Sequence, residues 1–161
     1  MESRKPTIAI LGGTGKEGPG LALRWAKAGY PILIGSRQAE KAQNTASEIS
    51  QIISAANVQG LENGAAARQA DICVLTVVQS AHQEAILSLR EELQGKILVD
   101  ATARVDYRNP IPPQPPSAAR LAQNWLGEGV RVVAAFQTAP STALRDLEQP
   151  IHSDILVCAD D

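Results

Sequence analysis

Short apolar runs rich in β-branched residues alternate along the chain with longer amphipathic segments, and the first run breaks at a cluster of glycines. Together these features predict an α/β domain with a doubly wound, mainly parallel sheet flanked by helices. A strand buried on both faces shows no polar alternation, and parallel strands need crossover connections. The 161 residues, 44% hydrophobic and 20% charged, suit one globular domain spanning residues 1–161.

The first strand is Thr7-Ile8-Ala9-Ile10-Leu11, ended by Gly12-Gly13. A helix follows from about Gly18 to Lys27; Pro19 is tolerated in its first turn, which needs no proline N–H, and Gly29 stops it. Pro31-Ile32-Leu33-Ile34 is a short buried strand. Gln38 to Ala55 reads as a helix with Ala42, Ile49, Ile52 and Ile53 on its apolar side, and a weak strand surrounds Asn57-Val58-Gln59. Asn63 is placed to cap a short helix through Ala70. Asp71 to Val77 is a central strand, Ser80 to Leu93 a helix, and Lys96 to Asp100 another strand.

Between Ala101 and Ser117 the prolines at 110, 112, 113, 115 and 116 exclude a helix interior and favour an exposed, extended loop. A helix from Ser117 to Leu126, a strand from Arg131 to Ala135, a polar connection and a last strand from Asp154 to Cys158 complete the reading. No solenoid-type repeat interrupts it.

Several function classes are disfavoured at once. A net charge of -2 and a pI near 5.7 give no global positive field for nucleic acid or anionic lipid. No apolar run reaches membrane-spanning length and the N-terminus carries no signal-type cleavage site, so a cytoplasmic protein is expected. Cys73 and Cys158 each sit in an apolar run as buried thiols, without a disulfide framework. His82 and His152 lack partners at metal-ligand spacing, so no metal is expected, and His82 reads as a helix-surface residue.

Gly13-Thr14-Gly15-Lys16-Glu17-Gly18 matches G-x-G-x-x-G between a strand and a helix, the Rossmann-type setting in which backbone can approach a pyrophosphate at the helix N-terminus. A Walker reading fails, because Ile10 stands where the upstream glycine belongs and Glu17 where Ser or Thr belongs. At the end of the second strand, an acidic residue would accept from an unmodified ribose. Ser36 and Arg37 stand there instead, with Lys41 one turn beyond, a hydroxyl and two cations suited to a 2′-phosphate. NADP(H) is therefore expected over NAD(H). Thr76, Val77 and Val78 end the central strand beside the expected topological switch point, and Gln137, Thr138 and Ser141 follow the sixth strand at the same edge.

These motifs together resemble the NADPH-dependent F420 reductase family, the F420H2:NADP oxidoreductases. The likeness rests on Ile10-Leu11-Gly12-Gly13-Thr14-Gly15, on Gly18 and Gly20-Leu21-Ala22-Leu23-Arg24, and on Ile34-Gly35-Ser36-Arg37 with Lys41. Asp71-Ile72, Val74-Leu75-Thr76, Thr138-x-Pro140 and Val157-Cys158-x-Asp160-Asp161 extend it over essentially the whole chain. The resemblance implies reversible hydride transfer between the nicotinamide C4 and C5 of the deazaflavin coenzyme F420, achieved through proximity and orientation without a protein nucleophile. It also implies that Thr14 to Glu17, within the cofactor-binding turn Gly13–Gly18, line the pyrophosphate, with Ser36, Arg37 and Lys41 on the 2′-phosphate. Gln137, Thr138 and Ser141 are then the residues that position the rings, while Thr76, Val77 and Val78, by their place at the switch point, leave room for the cofactor's central portion; no catalytic side chain is assigned.

Gln137 occupies a position where the family can have His, and Val78-Gln79 replaces a frequent Pro-aromatic pair. Family members continue past the position of Asp161 into helices that complete the cleft and a homodimer, so the family's C-terminal helical part is expected to lie outside these residues. Two other functions fit the same motifs: a non-catalytic NADP-binding redox sensor, or an NADPH-dependent reductase of another acceptor such as a flavin, a ferric chelate or an imine.

Overall fold

The computed structural model describes residues 4–105, 108–109 and 111–160. Among the described residues, seven strands form one sheet in the order β3-β2-β1-β4-β5-β6-β7. β1 (Ile8–Leu11), β2 (Ile32–Ser36), β3 (Val58–Glu62), β4 (Ile72–Leu75), β5 (Ile97–Asp100) and β6 (Arg131–Ala134) are parallel, and β7 (Cys158–Ala159) pairs antiparallel with β6. The order reverses between β1 and β4, so the expected switch point lies beside the glycine turn.

α1 (Gly18–Lys27) has the predicted limits, with Pro19 in its first turn and Gly29 at φ 81° after its end. α2 (Ala39–Ile52), α3 (Asn63–Gln69), α4 (His82–Ser88) and α5 (Ala118–Leu126) supply the other predicted helices. Ser117 caps α5 by accepting from Arg120 N–H at 3.2 Å. The period-2 geometry of the strands divides the core in two. Ala9, Leu11, Cys73, Leu75 and Leu98 face α3, α4 and α5, whereas Ile8, Ile10, Ile34 and Val74 pack with α1, α2 and Leu144. Each fully buried Leu or Ile contributes about 1.5–3 kcal/mol relative to exposure. Burial also pushes the Cys73 thiol up to about 11, consistent with an inert apolar role.

Several sequence expectations are corrected. The last strand is not Asp154–Cys158 but Cys158–Ala159, and Cys158 is exposed: the apolar run Ile155-Leu156-Val157 precedes the ladder instead of joining it. The connection after β6 contains a short helix, α6 (Ser141–Arg145), which packs on α1. A Cβ on Gly20 would stand 2.6 Å from Leu144 Cβ, so glycine permits this approach. The Arg24 guanidinium then donates to the carbonyls of Ala143 and Gln149 at 2.9 Å, Leu144 at 3.0 Å, and Asp146. α2 stops short of Ala55, and the helix expected over 80–93 is a 3-10 turn (Gln79–Ala81) followed by the two turns of α4. Asn63 does not cap α3; Glu62 does, accepting from Gly64 N–H at 3.0 Å.

The proline-rich segment is exposed where described, and Arg104 donates to the carbonyls of Gln114 and Pro116. Pro110 and Asp161 lie outside the described residues.

At Gly60 a Cβ would meet the main chain of Ala42 and Gln43 at 2.2 Å, the closest approach of β3 to α2. Gly60→Ala is therefore expected to lower unfolding free energy by about 1–3 kcal/mol, read from urea denaturation. A midpoint equal to that of the parent would contradict this packing.

Candidate functional site

The turn between β1 and α1 is built by close contacts of backbone on backbone. A Cβ on Gly13 would lie 2.6 Å from the Ile10 carbonyl oxygen, and one on Gly18 would lie 2.5–2.7 Å from the main chain of Gly13. Gly13 N–H donates to the Gly35 carbonyl at 2.8 Å, tying the turn to β2. Gly15 differs: a Cβ there would meet nothing closer than 3.7 Å, so the fold itself does not demand glycine. A vacant approach between two crowded glycines is what a pyrophosphate at a helix N-terminus requires. Thr14, Lys16 and Glu17 N–H groups have no main-chain acceptor among the described residues, which leaves them for a ligand.

Side chains from two other elements hold this turn. The Asn63 Oδ1 accepts from Gly12 N–H at 3.1 Å, and Thr76 Oγ1 lies 3.3 Å from the carbonyls of both Leu11 and Gly12. Thr76 thus spends its hydroxyl on the turn, while Val77 packs against Gly12 and Val78 stays 70% exposed. Neither Asn63 nor this use of Thr76 is readable from spacing along the chain, because the contacts cross 51 and 64 residues.

Ser36, Arg37 and Lys41 gather at the carboxyl end of β2 and the start of α2. Ser36 is buried and its Oγ accepts from Gln38 N–H at 3.2 Å, with its own hydrogen left to donate. Arg37 and Lys41 are exposed, and their side chains form no ion pair or hydrogen bond among the described residues. By contrast, Arg4 pairs with Asp71, Arg68 with Glu92 and Arg120 with Asp160. Arg37 lies just before α2, not in its first turn; Lys41 is in that turn, where a cation opposes the helix dipole and an anion would offset it.

At the other side of the switch point, Gln137 and Thr138 follow β6, and Ser141 begins α6. Gln137 Nε2 donates to the Asp100 carbonyl at 2.7 Å. Thr138 Oγ1 donates to the Asp154 carbonyl at 3.0 Å, fastening the approach to β7. Beneath them lies a polar pair missed in the sequence reading. His82 is 4% exposed, not on the helix surface, and its Nε2 stands 2.7 Å from Oδ2 of the fully buried Asp100. An acid closing an apolar strand signals a need for donors, but sequence alone did not identify His82 as one.

Glu17 precedes α1 with Oε1 buried and without a hydrogen-bond partner, and burial raises its carboxyl to about 7. Among the described residues no group of His, Cys, Asp and Glu could hold a metal ion, and no helix is long and apolar enough to cross a membrane.

A Rossmann-type domain with a glycine turn at its switch point and an acid-free, cationic β2 end defines the class of NAD(P)-dependent oxidoreductases. Within that class, residues 7–104 match the family model described as NADP oxidoreductase coenzyme F420-dependent, and the chain belongs to this family. The F420-dependent NADP reductase of Methanocaldococcus jannaschii is 44% identical over 165 residues, covering 96% of this chain and 73% of that protein. That of Methanothermobacter thermautotrophicus is 41% identical over 162 residues, covering 95% and 70%. Solved structures share the fold at lower identity. A UDP-glucose dehydrogenase from Pyrobaculum islandicum superposes with TM-score 0.69 at 14% identity, over 99% of this chain and 42% of that one. A Plasmodium falciparum pyrroline carboxylate reductase with NADP bound gives 0.64 at 14% identity, over 98% and 49%.

Glu17 makes stability depend on pH with a definite sign. Its carboxyl is raised in the folded chain, so below pH 4.5 both states are protonated and there is no penalty. Between 4.5 and about 7 the unfolded chain loses this proton first, and native stability falls; above that the penalty is constant. Glu17→Gln is therefore expected to gain melting temperature over the parent as pH rises through this window and to level off above it. A difference independent of pH would show that Glu17 titrates normally.

Proposed function

We propose that the chain binds NADP(H) across the β1–α1 turn and the β2 end, and transfers hydride between NADP(H) and coenzyme F420. The observation that carries the nucleotide half is the open Gly15 between two crowded glycines, with the uncommitted Arg37 and Lys41 at the neighbouring strand end. Membership of the family and the 40–44% identity to F420-dependent NADP reductases support the deazaflavin half.

In this reading the turn from Gly13 to Gly18 receives the pyrophosphate on the free N–H groups of Thr14, Lys16 and Glu17. Ser36 donates to the 2′-phosphate while Arg37 and Lys41 neutralise it. Thr76 acts by bracing the turn, Val77, Val78 and Ser141 border the path to the nicotinamide, and Gln137 and Thr138 border the rings. When bound, nicotinamide and deazaflavin supply the two-electron chemistry. The residues of this chain supply orientation, so no side-chain nucleophile or metal is required. A homodimer completed by family helices beyond these residues, a cytoplasmic location and the absence of a nucleic-acid partner belong to the same proposal.

The direct test is NADPH oxidation followed together with the visible absorbance of the deazaflavin. Equal molar losses of NADPH and of the oxidised deazaflavin are expected, so both absorbances fall together. Turnover only with a flavin, a ferric chelate or an imine would replace the acceptor, and nucleotide binding without any turnover would favour a redox sensor.

Cofactor choice has its own test. Arg37→Asp removes a charge-assisted hydrogen bond and adds repulsion, so it is expected to weaken NADPH binding by about 1.5–3 kcal/mol or more, with little effect on NADH. Equal effects on both nucleotides by calorimetry would remove the 2′-phosphate assignment. Gly15→Ala separates folding from binding: its melting temperature is expected to match that of the parent, because the added methyl meets no protein atom within 3.4 Å, while NADPH affinity falls. Undiminished affinity would mean that the pyrophosphate does not pass there.

A further inference from the structure

The side chain of Gln137 is oriented before any ligand arrives. Its Nε2 must face the Asp100 carbonyl, 2.7 Å away, because that oxygen can only accept. Oε1 is left as the end of this exposed side chain with no partner among the described residues. Asp100 in turn is held from both sides: Oδ2 lies 2.7 Å from His82 Nε2, and Oδ1 accepts Thr102 N–H at 2.9 Å. His82 is confined by burial and by the Trp125 ring, 5.6 Å between centroids. On the opposite side, Phe136 takes the left-handed conformation at φ 72°, rare for a bulky residue, with its ring edge-on to Trp25 at 5.6 Å. The carbonyl that turns the amide also accepts from Ala135 N–H at 3.3 Å, and the His82 pair sits on the carboxyl of the same residue.

We propose that Gln137 Oε1 accepts a hydrogen bond from an N–H group of the ring bound at the end of β6, and that His82 and Asp100 are the positioning residues that set this orientation. The inference rests on the functional reading above. Two rings could bring that N–H: the nicotinamide, through its carboxamide, or the deazaflavin, through its pyrimidinedione N–H. A backbone-locked glutamine discriminates by hydrogen-bond polarity, accepting N–H and rejecting a carbonyl or an alkylated nitrogen at the same place.

The test is a matrix of variants and ligands, with dissociation constants measured by calorimetry on the full chain. The ligands are NADP and its 3-acetylpyridine analogue, which lacks the amide N–H, and F420 and an analogue methylated at the pyrimidinedione nitrogen. Gln137→Met is expected to weaken binding of one parent ligand about three- to tenfold and to leave its N–H-free analogue unchanged. The ligand that responds identifies the ring. His82→Asn, too short to reach Asp100, is expected to reproduce part of that loss and to add nothing on top of Gln137→Met. His82→Gln, which keeps an N–H donor, is expected to restore it.

Equal losses for parent and analogue would overturn the acceptor role. A lower melting temperature in His82→Asn with unchanged discrimination between parent and analogue would overturn the positioning role. If the folded parent chain bound neither NADP nor F420, the functional reading would fall and this inference with it. Binding of both without discrimination at Gln137 would overturn this inference alone.

Discussion

The contact of Gly13 with Gly18 is the constraint on which the carboxyl edge of the sheet beside α1 depends. With 2.5–2.7 Å between the main chain of one and a Cβ of the other, no side chain larger than hydrogen fits at Gly18 without shifting main chain. That closeness brings the start of α1 directly over the end of β1, where the N–H groups of Thr14, Lys16 and Glu17 have no main-chain acceptor among the described residues. The turn is kept in this shape by neighbours on β2, α3 and the end of β4, through Gly35, Asn63 and Thr76. Bracing from three directions preorganises the turn, and a preorganised site loses less entropy on binding.

The polar anchoring of the opposite side follows different physics. Asp100 is fully buried at the end of β5, and a carboxyl there must find donors or destabilise the strand. It finds them in His82 and Thr102, while its carbonyl takes the Gln137 amide. These bonds link the end of β5 to α4 and to the loop after β6. The two apolar clusters on either face of the sheet hold its middle, and this polar network shapes its carboxyl edge.

Charge adds the last element. With a net charge of -2, attraction for an anion cannot come from the whole molecule and must come from local arrangement. Arg4, Arg68 and Arg120 are committed to carboxylates, and Arg24 and Lys27 donate to carbonyls around α6. Arg37 and Lys41 have no such partner among the described residues and lie beside a buried hydroxyl at Ser36. Lys41 opposes the dipole of α2 at a cost that solvent keeps small on this exposed surface and that an anion would offset.

By itself the sequence determined the order of strands and helices, the limits of α1, the glycine turn and the cationic β2 end. Each of these is written in local terms: β-branched runs, a proline in a first turn, glycine where backbones meet. It misread the end of the chain, because Ile155-Leu156-Val157 has strand composition but no neighbouring ladder to join, and it missed α6, whose five residues are too few for a helical period. Tertiary structure alone decided that His82 is buried against Asp100, that Asn63 serves Gly12 instead of its own helix, and that Gln137 has its amide turned by a carbonyl 37 residues away. The reason is common to all three. A polar side chain is satisfied by whichever group the packing brings within hydrogen-bond reach, and composition and period say nothing about partners that meet only when the sheet has closed.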